Sequence, residues 1–257
     1  MEHKISLPIK PRIIKKGENH AIFEIDNCYP GYGITLGNAF RRVILSSLSG
    51  AAITAVKIKG ASHEFSTIPN VAEDVIQIIL NLKKIRFKVH VPDLPDSIKV
   101  ELKASGEKEV KAKDIKTSSE VEVLNKDAHI ATLTNAKAKL EMEIEISKGL
   151  GYVPVEQRKK EKLEIGSIAL DAIYTPIKKV NYEVENMRVG DRTDFNRVKI
   201  EIETDGSINP EDAFTRAADI LVDHFIIFST RKLEIIENKK EVKKEKKGKK
   251  VTKKRKK

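Results

Sequence analysis

The sequence predicts an α+β fold, and three observations carry that prediction. Leu140, Met142, Ile144 and Ile146 alternate strictly with Glu141, Glu143 and Glu145, as in an antiparallel strand with one face buried. Residues 35–48 and 210–230 instead repeat apolar side chains at helical spacing. Between them lies a succession of short strand-like runs with one embedded helix, without regular strand–helix–strand alternation.

Taken in order, residues 11–26 read as two short strands, with alternation clearest from Ala21 to Ile25. The glycine-rich run from Gly31 to Gly37 leads into the first helix, with Thr35 as its N-cap and Gly50 as a left-handed C-cap. On a wheel of about 100° per residue, Leu36, Ala39, Phe40, Val43, Ile44 and Leu48 form one stripe, which belongs to a core. Asn38, Arg41, Arg42 and Leu45 gather on the opposite face. That face is either an interface or a solvated surface with one stray leucine. Residues 52–59 are strand-like and end at Gly60. Asn70, with Glu73 three residues on, reads as a capping box for a second helix with the stripe Val71, Val75, Ile78, Ile79 and Leu82. Strand candidates follow at 86–91, 97–103, 121–124, 130–132 and 138–147.

The run Gly149–Pro154 breaks the pattern, and the charged stretch 156–164 reads as an exposed loop. Strands resume at 165–174, 177–184 and 198–204, and Asp205-Gly206 is a turn. Asn209-Pro210-Glu211-Asp212 combines cap, first-position proline and first-turn acids at the start of a helix that reaches Thr230. Its main stripe is Phe214, Ala217, Ala218, Leu221, Phe225 and Phe228, yet Ile220 and Ile227 lie about 120° away and Ile226 lies off on the other side. So wide an apolar perimeter buries more than one face, at the centre of a monomer or against another subunit. The subunit is favoured, because a terminal helix is rarely central.

Charge is distributed unevenly. Residues 239–257 hold 13 of the 49 lysines and arginines but only 2 of the 38 acids, Glu241 and Glu245. The remaining 36 bases and 36 acids cancel, so the body is neutral and the net charge of +11 resides in a tail predicted to be disordered. Either that tail clamps phosphates nonspecifically, with Lys249, Lys250, Lys253, Lys254 and Arg255 as candidate DNA contacts, or it serves solubility or targeting. It has no aromatics for base stacking. The single Cys28 excludes a disulfide framework and any cysteine-based metal cluster. With no run near ~18 uncharged apolar residues and no signal-peptide pattern, the expected location is the cytoplasm, with no membrane contact.

Catalytic chemistry finds little support. His3, His20, His63, His90, His129 and His224 are scattered without metal-ligand spacing, and no P-loop or serine elbow is present. Asp93 and Asp96 flank prolines and read as turn residues. His63-Glu64 could form an acid/base pair, but a lone histidine beside a strand turn is more often structural. The spacing of Gly31, Gly33 and Gly37 approaches a dinucleotide-binding loop, but the third glycine comes one residue late and no acid follows for a ribose.

One resemblance covers about 230 residues. The segment Gly33-Ile34-Thr35-Leu36-Gly37-Asn38-Ala39-Phe40-Arg41-Arg42-Val43-Ile44-Leu45-Ser46-Ser47 closely resembles the helix signature of the bacterial RNA polymerase alpha subunits. The likeness continues through His63–Thr67, Glu73-Asp74, Leu80–Lys83, Gly149–Pro154, Asp171–Pro176, Arg192–Asp194 and Glu203–Ala213, in the family's order. It implies a non-catalytic subunit of a nucleotidyltransferase that homodimerises and scaffolds the beta and beta-prime subunits, which hold the active-site Mg²⁺; no cofactor is expected in this chain. It also implies two domains: a dimerisation domain of antiparallel sheet plus two helices, residues 1–49 and 175–231, interrupted by a mostly-β domain with one helix, residues 50–174, before a basic tail from 232 to 257. Arg42 and Leu45 match family positions that bind the beta subunit, Lys83 matches one implicated in contact with beta-prime, and Arg41 and Asn38 share the helix face. The implied dimer interface takes in Phe40, Ile44, Ile220, Leu221, Phe225, Ile227 and Phe228. The chain departs from the family at Leu150, where a basic residue is usual. It departs again after Arg231, where the lysine-rich tail stands in place of the helical DNA-binding domain that full-length members carry.

Overall fold

The computed structural model describes residues 5–61, 63–91, 97–158, 164 and 166–229. Asp93, Asp96, Ile165 and the whole basic tail, with Lys249, Lys250, Lys253, Lys254 and Arg255, lie outside them. The chain divides into two compact units, Met1–Leu221 and Val222–Lys257. The second is described only over Val222–Ser229, which is helical.

The chain opens with β1 (Arg12–Lys16) and β2 (His20–Cys28), an antiparallel hairpin. The alternation read in β2 turns Ala21, Phe23 and Ile25 inward. Next come α1 (Tyr32–Ser46), β3 (Ser49–Ile58), α2 (Val75–Leu82), β4 (Phe87–Val89) and β5 (Ile98–Ser105). They are followed by β6 (Lys108–Lys111), β7 (Ile115–Lys116), β8 (Val121–Val123), β9 (His129–Leu133) and the long β10 (Lys139–Leu150). The short strands β11 (Tyr152–Val153), β12 (Ile168–Ala169) and β13 (Ala172–Ile173) lead to the hairpin β14 (Ile177–Val189) and β15 (Arg192–Thr204). Helix α3 (Pro210–Ser229) comes last.

Two sheets organise these elements. One has the order β1-β2-β15-β14, so the first and last parts of the chain share it. The other runs β7-β5-β10-β3-β4-β8, with β12 added on β3. Each has its own apolar core. The first joins Ala21, Phe23, Ile25, Ile44 and Leu48 to Val198, Ile200, Ile202, Ala213 and Phe214. The second lies wholly within residues 51–170, around Ile78, Leu82, Leu102, Leu140 and Ile144. Strand β10 alternates buried and half-exposed residues as its sequence predicts, and its outer acids meet lysines: Glu141 with Lys59 at 3.0 Å and Glu143 with Lys99 at 3.1 Å.

Helix α1 starts four residues earlier than the sequence predicts, and Thr35 is not its cap. Gly31 occupies the N-cap at φ 85°, a left-handed conformation that glycine adopts without steric cost. The cap oxygen comes from far away. Asn196 on β15, 8% exposed, accepts hydrogen bonds through Oδ1 from the backbone N–H of Gly31 (3.0 Å) and of Gly33 (3.4 Å). Asn196→Ala is therefore expected to strand two donors and to cost about 1–3 kcal/mol, measurable by urea denaturation.

Gly33 and Gly37 face the sheet. A Cβ on Gly33 would stand 2.8 Å from Val184 and from Asn196, and one on Gly37 would enter the Tyr182 ring. These glycines admit α1 to close contact with β14 and β15, which removes the dinucleotide-loop alternative. Nor does Gly50 end the helix: Ser47 is the C-cap and Gly50 lies inside β3.

Other predicted boundaries shift for local reasons. Helix α2 begins at Val75, because Asp74 accepts from the Gln77 backbone N–H at 2.7 Å and forms the capping box that the sequence assigns to Asn70 and Glu73. Asn70 instead takes a turn conformation at φ 61°. Gly149 and Leu150 continue β10 instead of breaking it, with Gly149 in register with Gly50. The stretch expected as one strand at 165–174 contributes two two-residue strands, β12 and β13. Strands β14 and β15 reach 13 residues each, beyond the expected 177–184 and 198–204, where mixed polar sequence hides the alternation.

Candidate functional site

The four residues that the wheel sets apart on the first helix all face outward. Asn38, Arg41, Arg42 and Leu45 are exposed on α1, opposite the glycines that press it on the sheet. Neither arginine has an ion-pair partner among the described residues. The C-terminal end of α1 adjoins the turn after β10, where a Cβ on Gly151 would lie 3.6 Å from the Ser46 carbonyl oxygen. That turn is anchored from behind by Tyr174. Its ring fills the space a Cβ on Gly149 would need, its backbone N–H donates to the Gly151 carbonyl at 2.8 Å, and its hydroxyl meets Ser147 at 2.7 Å. The anchor leaves Leu150 and Tyr152 pointing out, 55% and 58% exposed.

Tyr152 carries the surface onward. Its phenol pKa is raised by partial desolvation and by the Asp171 carboxylate to which it is hydrogen-bonded. Asp171 accepts from the Val155 backbone N–H at 3.1 Å and pairs with Lys83 at 3.5 Å. The Val155 N–H, and then the charge of Lys83, hold its carboxyl below the usual carboxylate range despite some desolvation. Lys83 is the C-cap of α2. Beyond it lies a groove of ≈ 570 Å³ between α2 and the β12 edge, which includes His63, Glu64 and Leu80. The helical wheel sets apart Arg42 and Leu45, and the family resemblance adds Lys83; neither assigns a role to Tyr152 or Asp171, which lie 69 and 88 residues beyond Lys83 and announce no pairing locally.

A folded-state pKa below the unfolded one stabilises the fold above the unfolded value, and that contribution disappears as pH falls through the folded value. Asp171→Asn is thus expected to lower stability at pH 7 and to cost progressively less below about pH 4, in urea melts run across pH.

The residues assigned to the dimer interface separate into two groups. Ile44 is 0% exposed within the first core, so its side chain has no outer surface to offer a partner, and that assignment is corrected. Phe40 is half-buried, stacked on Phe214 at 4.7 Å, which in turn stacks on Phe23 at 4.5 Å. Ile220 and Leu221 are half-buried. The final two turns of α3 differ: Phe225, Ile227 and Phe228 are 64%, 67% and 77% exposed, and Val222 and Ile226 are exposed with them. The expectation that α3 is apolar on several sides holds, and its last turns expose large apolar side chains.

Among the described residues no group of three or more His, Cys, Asp or Glu is placed to hold a metal. No described helix is long and apolar enough to cross a membrane.

Comparison with known proteins gives a consistent result. Residues 56–175 match the family model of the RNA polymerase Rpb3/RpoA insert domain. The DNA-directed RNA polymerase subunit alpha of Flavobacterium psychrophilum is 47% identical over 227 residues, 88% of this chain and 68% of that protein. The subunit of the same name from Prosthecochloris aestuarii is 52% identical over 200 residues, 77% of this chain and 60% of that one. That from Alkaliphilus oremlandii is 46% identical over 246 residues, 92% and 76% of the two chains.

Proposed function

This chain belongs to the family of DNA-directed RNA polymerase alpha subunits, and from that premise we propose that it pairs with a second copy of itself and scaffolds the beta and beta-prime subunits. The observation that carries the pairing is the exposed apolar end of α3. Five large apolar side chains within seven residues, Val222, Phe225, Ile226, Ile227 and Phe228, are what an obligate interface buries. Docking of the large subunits rests on the outward face of α1. Arg42 offers a planar guanidinium, without an ion-pair partner among the described residues, beside the exposed apolar Leu45. Leu150, Tyr152 and the Asp171–Lys83 pair extend that face towards α2.

The chain acts here as a non-catalytic part of a nucleotidyltransferase, with Mg²⁺ held by the large subunits. Residues 1–49 and 175–231 serve as the dimerisation domain and 50–174 as an inserted one, a division supported by the two separate apolar cores. The tail from 239 to 257 adds nonspecific phosphate contact, and its deletion should flatten the salt dependence of DNA binding.

Native mass spectrometry tests the pairing. Wild type is expected as a dimer, and Phe225→Glu combined with Phe228→Glu as a monomer with unchanged far-UV circular dichroism. A monomeric wild type would refute the scaffold role.

A further inference from the structure

Strands β3 and β4 meet at the register pair Ala51–Phe87 and then part. The gap between them, closed at its far side by the start of α3, is a cleft of ≈ 410 Å³. Its chemistry is polar and predominantly cationic. Lys88 comes from β4, Lys148 from β10 and Arg216 from α3, three separate elements turned on one space. Among the described residues neither Lys88 nor Arg216 has an ion-pair partner. His90 shares the lining and is drawn towards Glu122, 3.4 Å away. Asp212, one helical turn before Arg216, is the acid that lines the cleft, and it offsets the cations only in part. Ser49, Ser207 and Asn209 supply neutral hydrogen-bonding groups. The amino end of α3 at the same rim adds partial positive charge, a contribution that strengthens the site without creating it.

We propose that this cleft binds a small phosphate-bearing ligand. The planar guanidinium of Arg216 suits bidentate contact with phosphate oxygens, while Lys88 acts as a point charge beside it. The volume lies within the range of small-molecule sites and is far too small for a nucleic-acid duplex. None of these residues belongs to the α1 face or to the end of α3, so the cleft is independent of the scaffold surfaces. Its walls come from both sheets' surroundings, the 206–216 segment on one side and β3, β4 and β10 on the other. A bound ligand would therefore brace the joint between the two cores.

The basic tail will also attract polyanions, so the test must be resolved by site. Backbone amide NMR of the full-length chain, titrated with inorganic pyrophosphate, is expected to show saturable shifts at Gly50, Lys88 and Ser207. Lys88→Ala with Arg216→Ala should weaken that response at least tenfold. Arg216→Lys, which keeps the charge but loses the planar fork, should weaken it less than the double variant, and Lys137→Ala, on a distant turn, should leave it unchanged. Shifts confined to residues 239–257, or cleft shifts that persist in the double variant, would overturn the proposal. So would a short single-stranded oligonucleotide that moves the cleft amides more strongly than pyrophosphate at equal phosphate concentration, which would assign the cations to a nucleic-acid backbone.

Discussion

Gly37→Val is expected to destabilise the first core by about 3 kcal/mol, read as a lower urea midpoint at unchanged m-value. The cause is geometric. Any side chain at this position meets the Tyr182 ring near its root, where rotation of the ring gives little relief, so α1 must lift from β14 and β15 or the tyrosine must leave. Lifting the helix withdraws Ile44, 0% exposed, and loosens the Phe40–Phe214–Phe23 stack. Helix propensity acts in the opposite direction, since valine is a better helix former than glycine, but by well under 1 kcal/mol. A double-mutant cycle identifies the clash. Combining Gly37→Val with Tyr182→Ala should recover part of the loss, whereas strictly additive effects would show that the ring is not what the new side chain meets.

Arg42→Ala together with Leu45→Glu is expected to weaken capture of the beta subunit by about 100-fold, or about 3 kcal/mol, while the thermal midpoint hardly changes. Both side chains are exposed, Leu45 at 37%, so the isolated protein loses little when they are replaced. Truncating an interface arginine leaves its partner groups unsatisfied, and a glutamate at position 45 places a charge where an apolar contact is needed. Quantitative pull-down with the beta subunit, with melting followed in parallel, separates binding from folding. Undiminished capture would move the docking site off α1.

Helix and strand faces are more legible in the amino-acid order than element boundaries are. Periodicity alone divides α1 into a core stripe and an outward face, and the exposed Asn38, Arg41, Arg42 and Leu45 agree with it residue by residue. The same holds for β10, where strict alternation corresponds to strict alternation of burial. Boundaries were harder to read. The sequence carries a capping-box pattern at Asn70 and Glu73, whereas the box forms at Asp74 and Gln77. Glu73 is claimed elsewhere: its carboxylate accepts from the Thr132 backbone N–H at 2.6 Å and meets His129 at 2.8 Å, contacts that exist only once β9 is in place.

What the sequence by itself determined is the inventory. It specifies three helices, a strand-rich middle, a neutral body with a basic tail, and family membership through motifs strung along most of the chain. Tertiary structure alone decided how those parts pack. The spacing of Gly31, Gly33 and Gly37 approaches that of a phosphate loop and also suits a helix pressed on a sheet. The choice depends on Tyr182, Val184 and Asn196, roughly 150 residues further along, filling the space beside them. Likewise Ile44 and Phe225 are both apolar helix residues, yet one is sealed in its own core and the other stands 64% exposed. Periodicity reports which face of a helix is apolar. What covers that face is set by elements distant in the chain, and only packing brings them together.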